Sequence, residues 1–321
     1  THCRKEECSD ITRNADVKSM KLIVICGATA TGKSDLAISL AQHLGAEIIN
    51  ADSMQIYKGM DIGTAKLPVS ERAGITHHML DVLAVTQDST VAWYQEQARN
   101  AVSEIHSRGK DVIVVGGTGL YIKAILDDLN FPDTDPVVRA SLELELATIG
   151  LNALFERLEK LDPAAAIAID RANSRRVIRA LEVIAITGKP FTANLPREAS
   201  TRYPNAVQFG LVMDRDHLSE RISARVDRMW ELGFVEEVEQ LLKDGITSGR
   251  TAQLALGYSQ LIAVKNGLWS EEEAKEDTKR ATRQYARRQE TWFSRDDRIK
   301  WISQAQPRLE TALQHLEKIN W

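Results

Sequence analysis

Gly27-Ala28-Thr29-Ala30-Thr31-Gly32-Lys33-Ser34 is the stretch on which the reading of the fold turns. The apolar run Leu22-Ile23-Val24-Ile25 precedes it, and the helix-like Asp35-Leu36-Ala37-Ile38-Ser39-Leu40-Ala41 follows it. Strand, G-x-x-x-x-G-K-[ST] and helix in that order make a P-loop. Its glycines let the backbone curl until successive N–H groups point inward, and the helix N-terminus adds partial positive charge. Lys33 is placed to meet phosphate oxygens, and the Ser34 hydroxyl to hold Mg²⁺. All eight residues, Gly27 to Ser34, are therefore expected to bind a di- or triphosphate. Which one, and what is done with it, the loop does not say.

Outward from the loop, apolar runs alternate with helical periods. Asp35–Leu44 carries Leu36, Ala37, Leu40 and Leu44 on one helical face. Glu47-Ile48-Ile49-Asn50 reads as a strand, Trp93–His106 as a helix ending near Gly109, and Val112-Ile113-Val114-Val115 as a buried strand. Such alternation predicts an α/β fold with a parallel, doubly wound sheet, whose ligands sit at the carboxyl ends of its strands. From about Pro132 to Thr192 the pattern turns to helix after helix, bracketed by Pro132, Pro136, Pro190, Pro196 and Pro204. Val207–Val212 is a candidate returning strand, followed by helical stretches His217–Leu232, Val235–Lys243, Ser259–Asn266 and Ser270–Phe293. The expected organisation is a leader over 1–20, a P-loop core from 21–130 and 206–321, and an all-helical insertion over 131–205.

The bulk properties limit the alternatives. The 321 residues are 43% hydrophobic and 27% charged, an ordinary globular balance. No run approaches the ~18 apolar residues of a membrane span, and 1–20 has no apolar core that would make it a secretory signal. Met20 is a candidate native start. Cys3, Cys8 and Cys26 lack a C-x-x-C pair, which fits a reducing cytosol and gives no zinc site. A cytoplasmic location is therefore expected. With a net charge of -4, any nucleic-acid surface must be local.

Asp52-Ser53 follow the second strand and should face the loop across the top of the sheet. The third strand ends in Gly116-Gly117-Thr118-Gly119, where a motor-type ATPase would carry a metal-binding Asp. Asp52 is thus the lone carboxylate in place, which favours transfer chemistry over hydrolysis. His77-His78 lack a third ligand at metal spacing and read as structural, as Cys26, Tyr57 and Trp93 read as packing.

The block Asp52-Ser53-Met54-Gln55-Ile56-Tyr57-Lys58-Gly59-Met60-Asp61-Ile62-Gly63-Thr64-Ala65-Lys66 resembles the signature of bacterial tRNA dimethylallyltransferases. So do Val115–Tyr121, Arg176–Glu182, Arg225–Met229 and Ala281–Trp292, so that the likeness runs over roughly 21–302. The resemblance implies transfer of a dimethylallyl group from dimethylallyl diphosphate to N6 of the adenosine just 3′ of the tRNA anticodon. It makes Asp52 the general base and puts Ser53, Met54 and Gln55 around the adenine. It also implies that Thr118 and Arg139 touch tRNA near the reaction, with Arg175, Arg176 and Arg179 in a tRNA-contacting segment of the insertion. Thr118 and Arg225 join Asp52 in the expected catalytic set, Arg225 as a phosphate contact. Mg²⁺, held in part by Ser34, and a cytoplasmic monomer acting on the anticodon stem-loop complete what the likeness implies. Ala28 stands where many relatives have Pro, and Ser259 follows Gly257-Tyr258, both expected at the tRNA, where many have Lys or Arg.

Two basic clusters can be read without any relative. Between Lys279 and Arg295, Arg280, Arg283 and Arg287 fall on one helical face, with Tyr285 and Trp292 available to pack or stack. Arg171, Arg175, Arg176 and Arg179 form the second, and two such patches on an acidic chain favour nucleic acid. Three other readings stay open: a prenyltransferase acting on free adenylate, a small-molecule P-loop kinase, and a non-catalytic RNA-binding module.

Overall fold

The computed structural model describes residues 20–194 and 200–319; residues 1–19 of the expected leader, with Cys3 and Cys8, and Pro196 lie outside them. Among the described residues six parallel strands form the sheet: β1 (Leu22–Gly27), β2 (Glu47–Asn50), β3 (His77–His78), β4 (Val112–Val115), β5 (Val207–Val212) and β6 (Ile299–Ser303). Their order is β3-β2-β4-β1-β5-β6. The helices are α1 (Lys33–Leu44), α2 (Val91–Ser107), α3 (Gly119–Leu126), α4 (Pro136–Leu161), α5 (Pro163–Ala168), α6 (Ser174–Thr187), α7 (Arg215–Glu231), α8 (Phe234–Lys243), α9 (Tyr258–Lys265), α10 (Glu271–Phe293) and α11 (Arg308–Glu317).

The central strands are β-branched and buried on both faces, as a parallel sheet covered by helices requires. On one face Val24, Val112 and Val114 pack with Ala98, Val102 and Ile105 of α2 and Ile122 and Ile125 of α3. On the other, Ile23, Ile25 and Ile113 meet Leu36 and Leu40 of α1 and Ala312 and Leu316 of α11. The sheet is doubly wound, with β1 and the loop after it at its centre. The expected strands β1, β2, β4 and β5 are present, as are the expected helices within a few residues.

Four elements go beyond the sequence reading. β3 is two residues long, α3 begins at a glycine, and β6 and α11 follow the long helix α10. The helices α4 to α6 bury their own core of Leu142, Leu154, Phe155, Leu158, Val177 and Leu181, each such side chain contributing about 1.5–3 kcal/mol. Among the described residues no helix is long and apolar enough to cross a membrane.

At the amino end of β2, His78, Arg108 and Lys110 converge on the buried carboxylate of Glu47, at 2.7, 2.7 and 2.9 Å. His78 is therefore structural. Burial raises the Glu47 pKa, but the hydrogen bonds from Lys110, His78 and Arg108 outweigh it and bring it to about 2. A depressed carboxyl contributes stability above its unfolded pKa of about 4.3, and loses it as pH falls through the folded value. Glu47→Gln should therefore lower unfolding free energy by about 1–3 kcal/mol at neutral pH. Denaturant titrations should show the gap to wild type narrowing between about pH 4 and pH 2; a gap independent of pH would contradict this.

Candidate active site

The loop after β1 is shaped by its glycines and by what packs on it. Gly27 has φ 133°, and a Cβ there would come within 2.6 Å of the Leu211 carbonyl oxygen on β5. Ala28 and Ala30 pack on Leu218 and Ile222 of α7, with Ala30 held at φ 63°. Three arginines reach the same loop. Arg221 Nε donates to the Ala30 carbonyl at 2.9 Å, Arg225 Nη1 to Thr29 Oγ1 at 3.4 Å, and Arg308 Nη1 to the Thr31 carbonyl at 2.7 Å. Gln289 of α10 ties the loop to the next strand end, accepting from the Thr29 amide at 2.8 Å and donating to the Gly117 carbonyl at 2.8 Å.

Asp52 is fixed just past β2. Its amide donates to Asn50 Oδ1 at 3.1 Å, and its Oδ1 accepts the Met54 amide at 2.9 Å. Thr118, past β4, closes the other side by accepting the Ser53 amide at 3.1 Å. Gly116 must be glycine here, since a Cβ would lie 2.2 Å from the Ala51 carbonyl oxygen.

Two compartments meet at this place. The polar one, about 120 Å³, is lined by Lys33, Ser34, Asn50, Asp52, Arg221 and Arg225, among others. The other, about 300 Å³, adds apolar walls from Met54, Val226, Met229, Leu254 and Leu256, with Tyr258, Tyr285 and Arg288. Thr29, Asp52, Thr64, Ala65 and Arg225 line both, so the Asp52 carboxylate stands at the seam.

Electrostatics differ across the seam. Burial pushes the Asp52 carboxyl above its ordinary range, opposed by the Met54 amide and the Lys33 charge. Burial, then the Arg225 charge, lowers Lys33 to about 8 against the pull of Asp52, while its Nζ donates to the Ala28 carbonyl at 2.6 Å. Burial and the neighbouring Asp52 raise the Tyr285 hydroxyl to about 12, so it stays a neutral donor. A cationic, partly dehydrated polar chamber suits a diphosphate. The larger chamber suits an apolar group and a flat base.

Around the site, the expected residues divide. Thr29, Ala30, Gly32, Lys33, Ser34, Asp52–Gln55 and Arg225 line one or both compartments, and Gly27, Ala28, Thr31 and Thr118 lie within two residues of that lining. Arg139, Arg175, Arg176 and Arg179 line a groove of about 560 Å³ with Arg250, and Leu254 is common to this groove and the larger compartment. Within it, Arg139 and Arg179 both pair with the buried Glu182 carboxylate, the latter at 2.8 Å, and Arg179 also donates to the Pro132 carbonyl at 2.6 Å. Arg175 and Arg176 are exposed. Tyr258 is fully buried, its hydroxyl donating to Glu237 Oε1 at 2.6 Å. Arg283 donates to Ser223 Oγ at 3.1 Å and, with Arg287, lines a crease between α7 and α10. The face of α10 turned to the large compartment instead carries Thr278, Thr282, Tyr285 and Arg288. Gln289, Arg221, Arg308 and Glu237 carry no local signal in the sequence, where only partners far along the chain could have revealed them.

A family model described as IPP transferase matches residues 55–296. A tRNA dimethylallyltransferase of Thermobifida fusca is 56% identical over 293 residues, covering 90% of this chain and 91% of the relative. One from Streptomyces griseus is 52% identical over 282 residues, 88% of this chain and 90% of the relative. Among solved structures, the full-length tRNA isopentenylpyrophosphate transferase of Bacillus halodurans superposes with TM-score 0.69 at 39% identity, over 93% of this chain and 96% of that one. A eukaryotic dimethylallyltransferase solved acting on tRNA gives TM-score 0.77 at 28% identity, over 92% and 78%. The two-chambered site lies in a fold shared nearly end to end with the Bacillus enzyme, and the chain belongs to the IPP transferase family, a family of transferase enzymes.

Proposed function

We propose that this chain is a tRNA dimethylallyltransferase that moves the five-carbon group of dimethylallyl diphosphate onto N6 of the adenosine 3′-adjacent to the anticodon. The observation that carries the reading is the seam: one carboxylate, Asp52, standing between a cationic chamber and a larger, partly apolar one. The likeness to tRNA dimethylallyltransferases supports tRNA as acceptor and dimethylallyl as the group moved.

In this reading the diphosphate occupies the loop Gly27–Ser34, where Lys33, Arg221, Arg225 and the inward N–H groups meet the negative charge that grows as the allylic C–O bond breaks. The adenine N6 lone pair is delocalised into the ring and is a poor nucleophile. Asp52 accepts one N6 proton as the new N–C bond forms, restoring electron density to nitrogen. The raised Asp52 pKa suits a group that must take up a proton. Thr118 holds the Ser53 end of the adenine pocket and Met54 flanks it, whereas Gln55, expected there, lines the polar chamber instead. Among the described residues no group of three or more His, Cys, Asp or Glu side chains is arranged for a metal. Mg²⁺ often sits on few protein ligands, with phosphate oxygens and water completing its shell, and Ser34 beside the polar chamber fits that use. When bound, it would neutralise charge on the leaving diphosphate.

Residues 131–205 serve, in the same reading, as the insertion that holds the anticodon stem-loop. The groove beside Leu254 and the large chamber supports this. Unstacking the adenosine costs a few kcal/mol, which phosphate contacts offset. Because Arg139 and Arg179 are tied to Glu182, the informative pair is Arg175 and Arg176. Removing both charges should raise the tRNA KM several-fold and flatten its salt dependence by about one unit for each phosphate left without its cation. Binding titrations at two salt concentrations measure this; parallel slopes would make these arginines a solvated face.

The test of the function is incubation of the protein and tRNA with labelled dimethylallyl diphosphate, and separately with labelled ATP. Label passing from the prenyl donor to tRNA is the expected result. Label passing from ATP to an acceptor, with none from the prenyl donor, would replace the reading by a kinase.

A further inference from the structure

Glu237 lies on α8, outside the Asp52–Lys66 block and outside both compartments, yet its carboxylate is the focus of that block's far end. Glu237 Oε2 accepts the amides of Asp61 at 3.1 Å and Ile62 at 2.7 Å. Oε1 accepts the Gly63 amide at 3.3 Å and the Tyr258 hydroxyl at 2.6 Å. Three successive N–H groups turned toward one point form an anion-binding concavity. In this fold the anion is the protein's own.

What the carboxylate holds is the wall of the reaction site. Gly63, Thr64 and Ala65 line the large compartment, and Thr64 and Ala65 line the phosphate compartment as well. Ala65 sits at φ 51°, a conformation that persists only where its surroundings over-determine it. Part of those surroundings is the segment's own turn, in which the Ala65 amide donates to the Ile62 carbonyl at 3.0 Å, the Lys66 amide to the Asp61 carbonyl at 2.9 Å and the Thr64 hydroxyl to the Met60 carbonyl at 2.7 Å. Phe234, one turn before Glu237 on α8, packs so closely that a Cβ on Gly63 would meet its ring at 2.2 Å. Gln55 Nε2 donates to the Thr64 carbonyl at 3.1 Å, and Lys66 Nζ donates to the Tyr57 carbonyl at 2.8 Å and to Asp61 Oδ1 at 2.7 Å. Glu237 is the acceptor that the 61–63 amides share.

We propose that Glu237 is a positioning residue for the transfer step: by gathering the Asp61, Ile62 and Gly63 amides it sets Thr64 and Ala65 against Asp52, so that the prenyl diphosphate is seated across the seam. This rests on the functional reading above. A neutral amide is the discriminating replacement. Glu237→Gln keeps size and one acceptor oxygen but turns an NH₂ toward backbone donors, so part of the concavity is left unmatched.

The experiment is steady-state transfer from dimethylallyl diphosphate to tRNA by wild type, Glu237→Gln and Tyr258→Phe, with the folded fraction of each read by thermal unfolding. A displacement near 1 Å at a reaction wall costs up to about a hundredfold in rate, so Glu237→Gln is expected to lose roughly ten- to a hundredfold in kcat. Its KM for dimethylallyl diphosphate should rise and its KM for tRNA should stay. Tyr258→Phe removes one of the four donors and should show a smaller shift in the same direction. A role confined to stability would lower apparent kcat in step with the folded fraction and leave both KM values alone, and that result overturns the proposal. Unchanged constants in Glu237→Gln overturn it too. Wild type that transfers no prenyl group removes the functional reading and this role with it, whereas active wild type beside an unaltered Glu237→Gln removes this role alone.

Discussion

Asp52→Asn should lower kcat by about 10²–10⁴-fold while leaving dimethylallyl diphosphate binding nearly intact. The side chain is fixed at the seam by the Met54 amide and by the Asn50 contacts to its backbone, so the amide replacement keeps shape and loses the negative charge, and with it the ability to take a proton. The pH profile adds an independent check. Burial raises the Asp52 carboxyl above its ordinary range, near 3.9 for an unperturbed aspartate. A base works only when ionised, so the rate should fall on acidification with a midpoint above that value, and Asp52→Asn should lack this limb. An acid limb shared by both proteins, or near-normal turnover in the variant, would take Asp52 out of the chemistry.

Lys33→Ala is the second large effect, and it falls on the donor rather than on the adenosine. A charge-assisted contact to phosphate is worth about 1.5–3 kcal/mol, so affinity for dimethylallyl diphosphate should drop by roughly ten- to 150-fold. Burial and the Arg225 charge bring Lys33 to about 8, so the ammonium is lost as pH rises through that value. Donor affinity should therefore weaken from about pH 8 upward in wild type. In Lys33→Ala that alkaline decline should be absent. Calorimetric or competition binding at pH 7 and 9 measures both; equal pH dependence in the two proteins would mean that another group carries it.

The sheet and the loop after β1 were legible because short-range signals there agree with the fold. β1 and β4 are runs of β-branched residues buried on both faces, and Gly27 and Gly32 stand where the chain must take positive φ. β3 escaped because two residues cannot show a period, and its place at the sheet edge is fixed by pairing with β2. In β6, Ile-Lys-Trp-Ile-Ser mixes buried and exposed positions on an edge strand, and Trp301 is partly exposed. The site was half legible. Asp52 and Lys33 follow strands and announce themselves by position. Gln289 and Glu237 act on partners 260 and 176 residues away or nearly so, and such contacts leave no local pattern. The basic clusters show the converse: charge alone pointed to Arg179 and Arg283, but not to the Glu182 carboxylate that engages Arg179 together with Arg139, which only the resemblance named, nor to the turn of Arg283 toward Ser223.

The most direct measurement of the central claim, that Asp52 stands between a prenyl diphosphate and a tRNA adenosine, is fragment mass spectrometry of tRNA incubated with the protein and dimethylallyl diphosphate. A gain of one five-carbon unit on the adenosine immediately 3′ of the anticodon, present with wild type and lost with Asp52→Asn, is the predicted result. Unmodified tRNA alongside prenylated free adenylate, or an equal gain with Asp52→Asn, would contradict it.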